Sequence, residues 1–261
     1  MTTEHDKLEA KLKAQSEFNR YEAKYLIHPA LIPKIREFIE PFCVDDPHGH
    51  GVYPEYVITT LQLDSYNLDL HQAKENEAVN RFKMRIRTYD SPGSPYFLEI
   101  KRKIKGSIAK SRVMIPHDQY GEKLFSDHRG VTFRSESERC SFLDFLRLRD
   151  QLGAKPIVFI RYHRESYMGA NEAYSRLTID RNLCYRRTTS YDFPKEGDRF
   201  RSMDSARALN RPFSGVILEL KTHQDVPSWM VELTERLGLT RNGFCKYSTA
   251  MNQEALFYSH V

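Results

Sequence analysis

The chain has 261 residues, with 40 Lys and Arg against 35 Asp and Glu and a formal net charge of +5. A charged fraction of 29%, a hydrophobic fraction of 40% and 15 residues each of Tyr and Phe describe a globular chain rich in strand-forming aromatics and exclude a disordered one. Cys43, Cys140, Cys184 and Cys245 form no CxxC pair, which speaks against a zinc ribbon and a small disulfide framework, and the small net charge makes any anion site a matter of local placement.

Residues 1–17 are polar and charged, with Leu8 and Leu12 at helical spacing, and read as an arm; residues 18–261 read as one domain. The start lacks the apolar stretch of a signal peptide and no run approaches a membrane span, so a cytoplasmic location is expected. A strand signal runs from Arg20 to Ile27, and a helical stripe follows at 31, 32, 35, 38 and 39, closed by Pro41. The Asp45 to Gly51 loop carries His48 and His50, which read as solvated rather than as metal ligands. Strands are expected at Tyr56 to Leu63, at about 80–90, 96–105 and 129–134, with the turn Ser91 to Pro95 making a hairpin of two basic strands. Ser137 to Leu152 reads as a helix stopped by Gly153. Strands resume at 157–167, 174–181, 183–187 and 216–221, and helices at 227–237 and 244–257, with a polar loop from Ser190 to Pro212. The expected fold class is α+β: about eight antiparallel strands with helices packed outside.

The segment Arg81-Phe82-Lys83-Met84-Arg85-Ile86-Arg87 alternates cations with apolar residues, so a strand would place all four cations on one face. Taken alone, that pattern fits a solvated sheet face. The same spacing recurs with ionisable or polar partners at Glu22/Lys24, Glu99/Lys101, Glu219/Lys221 and Lys246/Ser248, which points to a lined cavity built around a polyanion. No GxxxxGK[ST] loop, GxGxxG, HExxH or GxSxG occurs, so side chains rather than a helix N-terminus would have to hold most of any bound phosphate. Arginine forks suit phosphate oxygens, and glutamates are needed to offset the cations and to hold a divalent ion.

The segments Arg20 to Leu26, Arg85-Ile86-Arg87, Phe97 to Lys103, Tyr162-His163-Arg164, Arg176 to Asp180, Ile217 to Lys221 and Lys246-Tyr247-Ser248 resemble, in order, the motifs of VTC domains. These are the polyphosphate polymerase branch of the triphosphate tunnel metalloenzymes, related to CYTH proteins. The resemblance spans roughly Phe18 to Met251. It implies a closed eight-stranded antiparallel β-tunnel binding nucleoside triphosphate and polyphosphate with Mg²⁺ or Mn²⁺. By motif match, Lys24, Arg85, Arg87, Lys101, Arg164, Arg176 and Lys246 would contact phosphates, Ser248 would add a hydrogen bond, Lys110 is a weaker match, and Glu219 corresponds to the metal-ligand glutamate. Thr249 stands where the family often has Lys. The implied reaction is transfer of the γ-phosphoryl group of ATP to a growing polyphosphate chain, releasing ADP. A triphosphate or polyphosphate hydrolase of the same fold and a non-catalytic polyphosphate-binding module stay open, as does a membrane-embedded partner that draws the product away; nucleic acid is not expected, because the cations sit on no single helix and in no RNP-like motif.

Overall fold

The computed structural model describes residues 21–105, 107–171, 174–210, 215–223 and 225–258. The expected arm over 1–17 lies outside these residues. In chain order the elements are β1 (Tyr21–Ile27), α1 (Ile32–Ile39), β2 (Cys43–Asp45), β3 (Glu55–Asp64), α2 (Asp69–Glu75), β4 (Arg81–Tyr89), β5 (Tyr96–Ile104) and β6 (Ser107–Ile115). There follow α3 (Glu136–Leu152), β7 (Lys155–Gly169), β8 (Ser175–Arg187), β9 (Arg201–Ser202), α4 (Ala206–Leu209), β10 (Val216–Thr222), α5 (Ser228–Arg236) and α6 (Lys246–Tyr258).

Eight strands pair in the order β1-β10-β8-β7-β3-β4-β5-β6, with the short β2 and β9 attached to β7 and β8. The pairs β1–β10, β10–β8, β3–β4, β4–β5 and β5–β6 are all antiparallel. The described residues divide into two compact units, one drawn from 21–56, 164–181 and 205–244, the other from 57–163, 182–204 and 245–258.

In the first unit, alternation on β1, β10 and β8 sends Ala23, Tyr25 and Ile27, Val216, Leu218 and Leu220, and Leu177 and Ile179 to one face. That face is closed by Ile32, Ile35 and Ile39 of α1 and by Trp229, Met230 and Leu233 of α5. Each such side chain, fully buried, contributes roughly 1.5–3 kcal/mol. Pro33 is tolerated in the first turn of α1, where an N–H would have no partner in any case.

In the second unit, Leu61 and Leu63, Met84 and Ile86, Leu98 and Ile100, and Val113 and Ile115 form the apolar face of β3 to β6, covered by Phe142, Phe145 and Leu146 of α3. Ser135 caps α3 by accepting from the Glu138 N–H at 3.2 Å, and Gly153 closes it in the left-handed region at φ 59°.

The strand expected at 129–134 is absent, and β6, which its weak alternation hid, takes the place beside β5. Over 129–134 the Thr132 N–H goes to the Gln119 side chain at 3.3 Å rather than to a ladder, and Phe133 packs on Phe142 with ring centroids 5.2 Å apart. The two strands expected at 174–181 and 183–187 are one, β8, which absorbs Asn182 at φ 53° without ending. No described helix is long and apolar enough to cross a membrane.

Candidate functional site

The faces opposite these cores carry the charged residues, and register lines them into rows. In the first unit, Lys24 of β1, Glu219 of β10 and Thr178 of β8 share one row, and Glu22, Lys221 and Arg176 the next. Glu219 is buried at 5% exposure, with Lys24 Nζ 3.3 Å from Oε1 and Lys221 Nζ 2.9 Å and Arg164 Nη2 3.6 Å from Oε2. Burial opposes ionisation of Glu219, but Lys221, Lys24, a hydrogen bond with Glu22 and Arg164 hold its carboxyl well below the ordinary range. Burial likewise opposes the Lys24 ammonium, and Glu219 and Glu22 overcome it, leaving the group more basic than an ordinary lysine.

Arg164, on the part of β7 belonging to this unit, is held by a bidentate pair to Asp180, at 2.7 and 2.8 Å. Arg176 donates to Ser166 Oγ at 2.9 Å, to Tyr56 Oη at 2.8 Å and to Asp46. Thus Lys24, Arg164 and Glu219 meet in one cluster, while Arg176 is anchored to Asp46 a row away. Each cation here has a carboxylate.

The second unit is built differently. The polar face of β4, β5 and β6 contains a single carboxylate of these strands, Glu99, beside Arg81, Lys83, Arg85, Arg87, Lys101, Lys103, Lys110 and Arg112. One row crosses Gln62, Arg85, Glu99 and Arg112, and the next crosses Lys83, Lys101 and Lys110. Arg85 Nε lies 2.6 Å, Arg87 Nη2 3.0 Å and Arg112 Nε 3.5 Å from Glu99 oxygens. Burial pushes the Glu99 carboxyl up, yet Arg85, Arg87 and Arg112 overcome it and bring its pKa down to about 2. Three guanidinium groups on one carboxylate, with three lysines in the adjacent row, give these three strands' own residues a large surplus of positive charge. Such a surplus is self-repelling until an anion enters.

Lys246 and Ser248 are not on a strand: they open α6, where two-residue spacing no longer gives one face. The first turn of α6 is anchored by Tyr247, whose hydroxyl donates to Asp64 Oδ2 at 2.6 Å. Asp64 is fully buried and accepts the N–H groups of Ser65, Leu70 and His71, which also caps α2. Lys246 Nζ lies 4.4 Å above the Tyr162 ring.

Among the described residues no group of three or more His, Cys, Asp or Glu is arranged to hold a metal, and His48 and His50 belong to no such group. Glu219 and Glu22 instead bring two carboxylates onto one lysine, with Lys24 Nζ 2.9 Å from Glu22 and 3.3 Å from Glu219. Mg²⁺ commonly attaches through one or two carboxylates while substrate phosphates supply its other oxygens, so this donor set fits a metal carried in with phosphate, not an all-protein cage.

A family model for the VTC domain matches residues 19–255. The chain belongs to the VTC domain family. The match takes in both units and all ten site residues expected from the motifs. Solved structures similar to this VTC domain include a protein from Hippeastrum named as an adenylyl cyclase and described as having a dominant triphosphatase activity, at 16% identity, TM-score 0.45, covering 90% of this chain and 95% of that one. A protein from Pyrococcus horikoshii OT3 is 15% identical at TM-score 0.44, covering 90% and 99%, and one from Vibrio parahaemolyticus named as an adenylate cyclase is 10% identical at 0.43, covering 89% and 97%. No curated protein matches the sequence. The family assignment therefore rests on the family model.

Arg112 and the Thr60/Gln62 edge of the cationic face were not among the residues expected from sequence. The signal for Arg112 was its two-residue spacing from Lys110 ahead of buried Val113 and Ile115, readable only once 107–115 is taken as a strand.

Proposed function

We propose that this VTC domain is a polyphosphate polymerase that transfers the γ-phosphoryl group of ATP to the end of an inorganic polyphosphate chain and releases ADP. The observation that carries the reading is the cationic face of β4 to β6, where Glu99 is the sole carboxylate against rows of Arg and Lys. A face so unbalanced suits a ligand that repeats its negative charge along its length.

Arg85, Arg87, Lys101 and Lys110 bind and align phosphates along that face, with Lys246 and Ser248 adding contacts from the first turn of α6. Lys24, Arg164 and Arg176 hold phosphate oxygens in the first unit; the carboxylates that fix Arg164 and Arg176 keep their forks from swinging. Phosphoryl transfer asks for positioning and charge neutralisation more than for covalent catalysis. The attacking oxygen of a polyphosphate end is already anionic, so no general base is assigned. Mn²⁺ or Mg²⁺ at Glu219, with Glu22 beside it, would neutralise charge on the phosphate oxygens when bound. ATP and polyphosphate are the proposed partners, and the cytoplasm the proposed location.

A second reading, hydrolysis of a triphosphate or polyphosphate end, is favoured by one feature: Glu22, Glu219 and Asp180 make the first unit rich enough in carboxylates to orient a water. Incubation of the purified protein with ATP and Mn²⁺, following ADP and long chains on a gel with Glu219→Ala as control, separates the two. Long chains that disappear in the control establish the polymerase. Free phosphate without chains overturns it in favour of the hydrolase, and silence with retained polyphosphate binding reduces the domain to a binding module.

A further inference from the structure

Cys245 stands apart from the other thiols. It immediately precedes α6, and its carbonyl accepts the Thr249 N–H at 2.9 Å, so its side chain sits at the helix N-terminus, where backbone N–H groups and the helix dipole favour a negative charge. Independently of the helix, Lys83 reaches across from β4 and donates from Nζ to Cys245 Sγ at 2.7 Å. The residue as a whole is partly exposed. A cation in contact and a helix N-terminus, at a residue that is not fully buried, are together surroundings that make a thiol reactive.

We propose that Cys245 is a modification site: a thiolate held by Lys83 and the first turn of α6 and oxidised by hydroperoxides to the sulfenic acid. Burial works against the thiolate, but the Lys83 ammonium, with smaller help from Ser248, brings the thiol to about 7. Cys184, also partly buried, is pushed up to about 11 by burial that the nearby Arg161 only partly offsets. The oxidation step balances with the hydroperoxide alone. The sulfur lone pair attacks the terminal peroxide oxygen, the S–O bond forms as the O–O bond breaks, and the leaving oxygen departs with the bonding pair and takes a proton from Lys83, which solvent then reprotonates. Sulfur loses two electrons and the peroxide gains them. The product is neutral, so Lys83 loses the anion it faced, beside its register partner Lys101. The consequence for phosphate binding rests on the function proposed above; the thiol chemistry does not.

Alkylation by iodoacetamide near neutral pH, mapped cysteine by cysteine in the full chain by mass spectrometry, tests the assignment. Cys245 reacts faster than the more exposed Cys140, Lys83→Met slows it about fivefold with Cys140 unchanged, and Lys83→Arg, which keeps a cation, restores most of the rate. Treatment with hydrogen peroxide then places a dimedone adduct on Cys245. Alkylation of Cys245 no faster than Cys140, or a rate indifferent to Lys83→Met, overturns the proposal. Added polyphosphate slows alkylation if the phosphate reading holds; fast alkylation without protection counts against that reading and leaves the thiolate standing.

Discussion

The polar face of β1, β10 and β8 and that of β4, β5 and β6 use the same alternation but handle charge in opposite ways. On the first, Lys24 and Lys221 share Glu219, Arg164 is forked onto Asp180, and Arg176 is tied to Asp46. On the second, Arg85, Arg87 and Arg112 crowd on Glu99, with no second carboxylate on these strands. A balanced cluster is stable when empty, and its carboxylates fix the positions of its cations. An unbalanced face is strained when empty, and binding a polyanion relieves it. On the function proposed above, the first face would supply geometry and hold the metal, and the second would supply affinity for the chain.

The largest expected effect breaks the second face. Arg85→Ala combined with Arg87→Ala weakens polyphosphate binding by roughly two orders of magnitude or more, since charge-assisted hydrogen bonds are worth about 1.5–3 kcal/mol each. Thermal melting should stay cooperative, and unchanged affinity in a binding titration would sink the assignment. Glu219→Gln strikes the first face. It leaves Lys24, Lys221 and Arg164 without their shared counter-charge and costs about 3–5 kcal/mol of stability in urea denaturation, the range for breaking a buried pair. A loss no larger than that of a surface pair, below about 1 kcal/mol, would mean the cluster is solvated.

Glu99 sharpens the contrast through pH. Its carboxyl is moved in the folded protein from the ordinary 4.5 to about 2, so it stabilises the fold fully above pH ~4.5 and loses that contribution as pH falls toward ~2. At ~1.36 kcal/mol per tenfold this amounts to about 3 kcal/mol. Comparing wild type with Glu99→Gln between neutral and acid pH should show the wild type losing its advantage over that window, and parallel curves would refute it. The smallest effect is that of Tyr247→Phe, which removes the bond to Asp64 and costs about 1–2 kcal/mol, measured by thermal denaturation.

Much of this contrast was legible in the chain itself. Apolar and charged residues alternate through 21–25, 81–87 and 218–221, and the structure builds strands there with the faces that spacing requires. The order of the motifs identified the family, which the match over 19–255 bears out. Less could be read where pairing partners matter more than pattern. Residues 107–115 alternate only in their second half, and 129–134 has strand-like residues whose backbone finds a side chain instead. Glu99 shares a face with Lys101 as the spacing requires, but that Arg85 and Arg112 are its cross-strand neighbours follows only from the register. Asp64 and Cys245 gave no signal at all, because their roles come from contacts with Tyr247 and Lys83, distant in sequence.

The most direct measurement is the polyphosphate affinity of Glu99→Gln set against wild type at matched ionic strength. If Glu99 is the internal anion that a bound chain displaces, removing its charge frees three arginines and tightens binding by about tenfold. Weaker binding would contradict the account, because Glu99 would then be holding the arginines in place for the ligand, and the face would owe its affinity to geometry and not to its charge surplus.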